Sequence, residues 1–217
     1  MLRLLSLVGA LAVTGLVSGC SRAGKCSLGA VADLPITTVD RAFFTDITIN
    51  GSTAHLQVDT GAYANLLNEA ALQRLGMTQQ VVGSISLGGV GLGERPINMA
   101  VSDSVQVGAA HATHVAFATT SPDAFLPGVD GLLGMDFLAP YDDDLDLSAG
   151  HLRLVSTQGD CSTPATPLAG ALYTVPLEKL GVSASPVVTV TIEGVKLKAV
   201  IDTGAMSSLL FRPPRNA

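Results

Sequence analysis

Tryptophan is absent from this chain, and aromatic and charged side chains are scarce. Of the 217 residues, 4% are aromatic and 14% are charged, whereas 47% are hydrophobic. Leu, Val, Ile and Thr supply most of the apolar mass, and there are 23 glycines. This balance favours a β-rich globular protein over a disordered one, with enough material for one core and part of another.

Positive charge is also scarce. The chain has 12 Lys and Arg residues against 18 Asp and Glu residues, which gives a net charge of −6, and no run of basic residues occurs. A protein that binds nucleic acid usually carries a basic patch that faces the phosphates. The composition therefore argues against nucleic acid as a partner.

An apolar segment at the N-terminus ends in a cysteine. Arg3 precedes an apolar run from Leu4 to Val17, and Ser18-Gly19-Cys20 follows. The run is short for a membrane-spanning helix and is typical of a secretory signal. Because its end resembles the bacterial lipobox, we predict a signal peptide over 1–19 and a lipid anchor on Cys20. The protein would then be an exported bacterial lipoprotein on the periplasmic side of a membrane. An ordinary cleaved signal or a short uncleaved anchor is the alternative.

Two further cysteines follow the apolar segment. With Cys20 lipidated, Cys26 and Cys161 remain as an even pair in an oxidising compartment. A disulfide between them would close a long loop and stabilise the fold by roughly 4–5 kcal/mol in theory. Two unpaired thiols are the alternative, and nothing indicates a metal thiolate site.

One five-residue sequence occurs twice. Val58-Asp59-Thr60-Gly61-Ala62 recurs as Ile201-Asp202-Thr203-Gly204-Ala205, and the alignment continues without a gap on both sides, so that Gly51 matches Gly194. Each copy predicts an alternating strand, a glycine turn, a second strand and a carboxylate at the end of that strand. A single copy would also fit a simple β-turn in which Asp bonds its own backbone. The matched pair indicates two lobes that each bring one carboxylate to a shared centre.

Local patterns predict the elements around the first copy. Alternation from Phe44 to Ile49 and from Ala54 to Val58, around Asn50-Gly51, predicts a hairpin. Asn68 is a good helix N-cap, and Gly76 is a stop signal, so a short helix is expected between them. Val81 to Thr119 is typical of short strands, and Tyr141 to Leu154 predicts a further hairpin.

The glycine-rich stretch from Leu87 to Gly93 predicts a mobile hairpin over a cleft. A phosphate-binding loop would require a helix to begin directly after it, and Glu94-Arg95-Pro96 is a poor helix start.

Clusters of potential metal ligands do not have the spacing that a metal needs. The acidic run from Asp142 to Asp146 fails as a calcium loop because Leu147 takes the glycine position and Arg153 the glutamate position. A solvated acidic turn is expected there instead. His111 and His114 have no third ligand nearby. We therefore predict no metal and no cofactor.

A third motif, Leu132-Leu133-Gly134, completes a family pattern. Together with the two Asp-Thr-Gly-Ala elements it resembles the aspartic proteases, particularly the retropepsin-like branch and its exported bacterial members with two lobes in one chain. In that family the apolar-apolar-Gly motif crosses beneath the loop of the catalytic Asp, and a flap lies between the two. The resemblance implies a mostly β fold, with Gly88, Gly89, Gly91 and Gly93 in the flap.

The resemblance also implies domain boundaries. They are a tether over 20–33, a complete first lobe over 34–158, a linker over 159–171 and an incomplete second lobe over 172–217. In the second copy, Phe211 stands where the first has Asn68, and Pro213-Pro214 occupy positions of the first-lobe helix. Because tandem prolines disfavour a helix, the helix is not expected to be repeated.

The implied activity is that of an aspartic-type endopeptidase acting on peptide or protein substrates. Asp59 and Asp202 would share one proton and activate a water molecule. Thr60 and Thr203 would link the two loops by hydrogen bonds, while Gly61 and Gly204 would keep the loops small enough to meet. Two alternatives stay open. Asp59 could pair with its mate in a homodimer, or the chain could be a non-catalytic, truncated lipoprotein that binds peptides or has a structural role.

Overall fold

The structure is a computed structural model, and it describes residues 26–81, 86–89, 92–121, 124–159, 161, 173–180 and 183–211. In this part of the chain strands dominate. The strands are β1 Ser27–Pro35, β2 Thr37–Val39, β3 Ala42–Ile49, β4 Ser52–Val58, β5 Leu66–Asn68, β6 Gln79–Gln80, β7 Ser86–Gly89, β8 Leu92–Pro96, β9 Asn98–Val101, β10 Ser104–Val107, β11 Ala110–Thr113, β12 Ala116–Thr120, β13 Gly131–Leu133, β14 Asp142–Asp146, β15 His151–Gln158, β16 Glu178–Leu180, β17 Ser183–Ile192 and β18 Val195–Val200. The helices are α1 Glu69–Arg74 and α2 Met135–Leu138.

A ten-stranded sheet contains the first copy of the repeat. Its order is β11-β10-β3-β4-β13-β5-β12-β9-β6, and β2 pairs with β3 beside this path. Apolar side chains alternate along β4, so that Ala54, Leu56 and Val58 face the core. The same core includes Leu152 and Leu154 of β15, which belongs to a second sheet. The mostly β fold class is confirmed.

A tight turn sets the register of β3 and β4. Asn50 and Gly51 both have positive φ, at 49° and 78°, which is the left-handed conformation that Asn and Gly tolerate best. Ile49 therefore pairs with Ser52, and the strands continue antiparallel as far as Phe44 and Gln57. The predicted hairpin is confirmed.

Helix α1 has the predicted ends. The Asn68 side chain accepts a hydrogen bond from the Ala71 N–H at 2.8 Å, which satisfies one of the free donors at the helix start. Gly76, with a φ of 64°, follows the last turn. The predicted hairpin after Tyr141 is also confirmed, because β14 and β15 pair antiparallel.

Strand β13 lies between the two strands that flank the first Asp-Thr-Gly loop. It runs parallel to β4 and antiparallel to β5. Backbones approach closely here: a Cβ on Gly131 would overlap the Leu66 carbonyl, and one on Gly134 would lie 2.5 Å from the Ala64 carbonyl oxygen. Glycine is therefore required at both ends of the Leu132-Leu133 pair.

Strand β1 corrects the predicted tether over 20–33. Ser27 to Asp33 are part of β1, which pairs antiparallel with β15 in the sheet β1-β15-β14. Its apolar pattern is weak, since only Ala32 and Leu34 are buried in this strand. Cys26 and Cys161 form a disulfide next to the paired strands β1 and β15. The sequence alone left this disulfide and two free thiols as alternatives.

The acidic run is also different from the prediction. Asp142 to Asp146 form strand β14 rather than a solvated turn, and the turn lies over 147–150. Arg153, on the partner strand β15, binds the carboxylate of Asp144 at 3.0 Å and that of Asp146 at 3.7 Å. These ion pairs offset part of the repulsion between neighbouring carboxylates, so the segment tolerates a strand.

The second copy of the repeat forms its own small sheet in the order β16-β17-β18. Its β17–β18 turn repeats the first one, with φ of 50° at Glu193 and 82° at Gly194. Helix α2 of the first lobe contacts β17, so the second copy packs against the first lobe. The positions that correspond to helix α1, 212–217, lie outside the described residues.

Strands β7 and β8 pair antiparallel as a separate hairpin that includes Gly88, Gly89 and Gly93. Gly91, Cys20, the signal segment, most of the linker and the prolines after Phe211 lie outside the described residues. Neither of the two described helices is long and apolar enough to cross a membrane.

Candidate active site

Asp59 follows the last residue of β4, at the point where β13 supports the chain. Its backbone N–H donates to the Leu133 carbonyl at 3.0 Å. Its carboxylate Oδ1 accepts hydrogen bonds from the N–H groups of Gly61 and Ala62, both at 2.9 Å. The loop thus folds around its own carboxylate and holds it in one orientation.

Asp202 lies in a loop of the same shape at the end of β18. Its Oδ1 accepts hydrogen bonds from the N–H groups of Gly204, at 2.9 Å, and Ala205, at 3.1 Å. The Ala205 N–H also approaches the Asp202 carbonyl at 3.4 Å, as the Ala62 N–H approaches that of Asp59 at 3.3 Å. The same short sequence therefore produces the same local geometry twice.

The two threonines join these loops reciprocally. The Thr60 N–H donates to the Thr203 Oγ1 at 3.0 Å, and the Thr203 N–H donates to the Thr60 Oγ1 at 3.1 Å. Each hydroxyl then donates to a carbonyl of the opposite copy, Thr60 to Ile201 at 2.6 Å and Thr203 to Val58 at 2.7 Å. These four hydrogen bonds are the link between loops that the family resemblance implies.

The glycines of the two loops allow the carboxyl groups to come together. A Cβ on Gly61 would overlap the carboxyl group of Asp202, and a Cβ on Gly204 would overlap that of Asp59. Each carboxyl group therefore lies against the backbone of the opposite loop. A larger residue at either glycine would displace the carboxyl group of the opposite loop.

Burial and proximity change the protonation of this pair. Desolvation, followed by the neighbouring charge of Asp202, raises the pKa of Asp59 from 3.8 to about 6, although the hydrogen bonds from Ala62 and Gly61 oppose the rise. Two carboxyl groups this close do not ionise together easily. The site can therefore hold one proton and one negative charge at the same time.

Asn65 and Asp136 support the first loop and were not recognised in the sequence. The buried Asn65 side chain accepts a hydrogen bond from the Gly134 N–H at 2.9 Å, and the Asp136 carboxylate accepts one from the Asn65 N–H at 3.0 Å. Burial raises the pKa of Asp136. A polar residue follows each motif in the sequence: Asn65 follows Asp-Thr-Gly, and Asp136 follows Leu-Leu-Gly. This pattern could have indicated that the two residues support the loop.

The histidines take no part in the site. His55 lies in β4, with its Nδ1 at 2.7 Å from an Asp46 carboxylate oxygen and its ring stacked on Phe44. His111 lies on β11 at the far end of the ten-stranded sheet, and His114 follows that strand. Within the described ranges, no group of three or more His, Cys, Asp or Glu side chains has the geometry of a metal site.

Two facing Asp-Thr-Gly loops, with an apolar-apolar-Gly strand beneath the first, define an aspartic protease-like protein. Residues 45–140 match the family model described as gag-polyprotein putative aspartyl protease. Over these residues the chain is similar to that family of aspartyl proteases.

Solved structures similar to the chain include a retropepsin-like aspartic protease from Rickettsia conorii, with 21% identity, a TM-score of 0.45, and coverage of 61% of this chain and 94% of that one. The EIAV protease complexed with the inhibitor HBY-793 has 23% identity and a TM-score of 0.36, and the match covers 44% of this chain and 83% of that one. The retroviral protease-like domain of Ddi1 from Leishmania major has 18% identity and a TM-score of 0.37, covering 55% and 96%. The comparison with curated proteins found no match.

Proposed function

We propose that the chain is an aspartic-type endopeptidase whose dyad is Asp59 and Asp202. The observation that carries the proposal is the reciprocal hydrogen bonding of Thr60 and Thr203, which holds the two Asp-Thr-Gly loops face to face within one chain. A structural role alone would not require two half-buried carboxyl groups to lie close together, since partial desolvation of each costs free energy.

The chemistry follows from one proton shared by two carboxyl groups. The ionised member removes a proton from a water molecule, whose oxygen then attacks the carbonyl carbon of a peptide bond. The protonated member donates its proton to the carbonyl oxygen, which gives a neutral gem-diol. When the C–N bond breaks, the diol returns one proton through the dyad to the departing nitrogen. The products are an amine and a carboxylic acid, and no covalent intermediate forms.

The decisive test compares cleavage by three aspartate variants of the whole chain. Asp59→Asn and Asp202→Asn should each reduce kcat/KM on a mixed peptide library by at least about 1,000-fold, since loss of one member removes either the base or the acid. Asp103→Asn is the matched control because it makes the same chemical change at an exposed site between β9 and β10. Cleavage retained by Asp59→Asn, with its fold verified by circular dichroism, would contradict the proposal.

The same variants distinguish a homodimeric dyad. If Asp59 pairs with its mate in a second copy, Asp202→Asn should retain activity, and the rate per chain should rise with protein concentration. The intrachain dyad predicts loss of activity in Asp202→Asn and a rate per chain that is independent of concentration.

A non-catalytic peptide-binding protein is the second candidate, and the exposure of the second copy favours it. Ile201, Leu209 and Leu210 are exposed, whereas the corresponding side chains of the first copy are buried or half-buried. Peptide binding without cleavage by the unmodified chain, measured by calorimetry and mass spectrometry on the same samples, would favour this candidate.

We also propose that the protein is an exported lipoprotein attached to the periplasmic side of a bacterial membrane through Cys20. The Cys26–Cys161 disulfide supports an oxidising compartment. Labelled palmitate should be incorporated into the unmodified chain in bacteria and not into Cys20→Ser. Equal incorporation in both would reject the anchor.

A further inference from the structure

Gln57 makes a hydrogen bond from the first copy of the repeat to the second. Its Nε2 donates to the Gly204 carbonyl oxygen at 3.1 Å. Gln57 lies two residues before Asp59 on β4, where Leu56 and Val58 face the core. The alternation of the strand therefore directs the Gln57 amide away from the core and towards the loop of Asp202.

The acceptor of this bond is connected directly to the dyad. The Gly204 carbonyl and the Ala205 N–H belong to the same peptide group, and that N–H donates to Asp202 Oδ1 at 3.1 Å. A donor on the carbonyl of a peptide group polarises its N–H, since hydrogen bonds in a chain strengthen one another. The Gln57 amide thus orients and strengthens a donor that favours the ionised form of Asp202.

The opposite loop has no equivalent donor in the sequence. At the repeat offset Gln57 corresponds to Val200, whose side chain cannot donate a hydrogen bond. The Gly61–Ala62 peptide group, which donates to Asp59 Oδ1 at 2.9 Å, therefore receives no polarisation from that position. The two carboxylates accept the same hydrogen bonds from their own loops, and Gln57 bonds only the loop of Asp202.

We propose that Gln57 is a positioning residue that makes the dyad asymmetric and retains the shared proton on Asp59. The proposal rests on the proposed function only in treating the two carboxyl groups as a working dyad. The asymmetry itself follows from the Gln57–Gly204 hydrogen bond and from Val200, and it exists whether or not the chain cleaves peptides.

The titratable groups around Gln57 are consistent with this assignment. Burial and the charge of Asp202 raise the pKa of Asp59, in the direction that retains a proton there. On the same face of β4, His55 is paired with Asp46 of β3. On α2, which contacts β17, the Asp136 carboxylate accepts a hydrogen bond from the Asn65 N–H. Each of these groups therefore has a partner other than Gln57.

The test is a titration of the aspartate carboxyl carbons by NMR, because it needs no catalytic activity. The signals of Asp59 and Asp202 are assigned from Asp59→Asn and Asp202→Asn. Four proteins are then titrated: the unmodified chain, Gln57→Met, Val200→Gln and Val200→Met. Methionine matches the length of glutamine without its donor, and Val200→Met controls for the longer side chain at the mirror position.

In the unmodified chain, the Asp59 signal should follow the higher apparent pKa of the pair. Gln57→Met should raise the lower apparent pKa by about 0.3 pH unit, if one bond polarises the next by 10–30%, and the two signals should become more alike. Val200→Gln should lower the higher apparent pKa, and Val200→Met should leave it unchanged. The acid limb of any pH–rate profile should follow the lower apparent pKa.

Three results would overturn the proposal: unchanged signals in Gln57→Met, a higher apparent pKa that belongs to Asp202 in the unmodified chain, or independent titration of both carboxyl groups near 3.8. If Gln57→Met does not fold, the mirror variant Val200→Gln decides in its place. Absence of cleavage together with the expected titrations would reject the proposed function and retain the role of Gln57.

Discussion

The first copy of the repeat delivers Asp59 from the interior of a ten-stranded sheet, whereas the second delivers Asp202 from the edge of a three-stranded one. The local geometry is nearly the same, since both Asp carboxylates accept two N–H groups of their own loop. The surroundings differ sharply: Val58 is 2% exposed and its counterpart Ile201 is 47% exposed.

The cause of this difference is strand β13. It is hydrogen-bonded to β4 on one side and to β5 on the other, so the apolar residues around the first loop are enclosed. In the part of the chain that the structure describes, β18 pairs with β17 alone. The shape of an Asp-Thr-Gly loop is therefore determined by a few local hydrogen bonds, whereas the stability of the lobe comes from the strands beside it.

The largest expected effect is on the core beside the first loop. Leu67 is fully buried and Leu210, its counterpart, is 71% exposed. Leu67→Ala should lower the free energy of unfolding by about 2–5 kcal/mol, because it leaves a cavity. Leu210→Ala should change it by less than about 0.5 kcal/mol. Urea denaturation of both variants measures the difference. A cost at Leu210 similar to that at Leu67 would show that the second copy has an enclosed core in solution.

A smaller effect comes from the charge of Asp59. Its pKa is about 6 in the folded chain against 3.8 as the ordinary value, so the folded state binds more protons than the unfolded state between these values. Stability is therefore highest below pH 4 with respect to this group, and is lost as the pH rises through about 6. The loss should approach about 2–3 kcal/mol.

The Asp59→Asn variant should not show this loss. The difference in the free energy of unfolding between the variant and the unmodified chain, measured in urea at several pH values from 4 to 8, should grow in favour of the variant. Taking the difference cancels the contributions of the carboxylates that do not interact with Asp59. Asp103→Asn serves as the control, and its curve should run parallel to that of the unmodified chain. A parallel curve for Asp59→Asn would refute the shift.

Much of the site could be predicted because its determinants are local. Asn50-Gly51 specifies a turn, Asn68 caps the next helix, and Asp-Thr-Gly provides the carboxylate and the two N–H groups that hold it. Each of these interactions joins residues within a few positions. The repetition of the motif then indicated that two loops would meet.

What could not be predicted depends on residues far apart in the chain. Gln57 and Gly204 are separated by 147 positions, and nothing around Gln57 in the sequence indicates its acceptor. Strand β1 is specified by its pairing with β15 rather than by its own alternation. Strand β14 is acidic along its length, and Arg153 on the neighbouring strand offsets part of the repulsion between its carboxylates. Tertiary contacts override local patterns in both strands.

The smallest expected effect on stability is at the hairpin turns that precede the two Asp-Thr-Gly loops. Asn50 and Glu193 have the same left-handed φ, but asparagine tolerates this conformation better than glutamate does. Glu193→Asn should therefore stabilise the β17–β18 hairpin by about 0.5 kcal/mol.

The reciprocal exchange should not be symmetrical. The Asn50 side chain accepts hydrogen bonds from the N–H groups of Asp103, at 2.8 Å, and Ser104, at 2.9 Å, and donates to the Leu75 carbonyl at 2.9 Å. Glutamate cannot reproduce these bonds, so Asn50→Glu should cost about 2 kcal/mol. Hydrogen exchange of β18 amides should slow in Glu193→Asn, while the β3–β4 amides should exchange faster in Asn50→Glu. Equal and opposite changes would mean that backbone conformation alone distinguishes the two turns, and that the contacts of Asn50 with β10 and α1 contribute nothing.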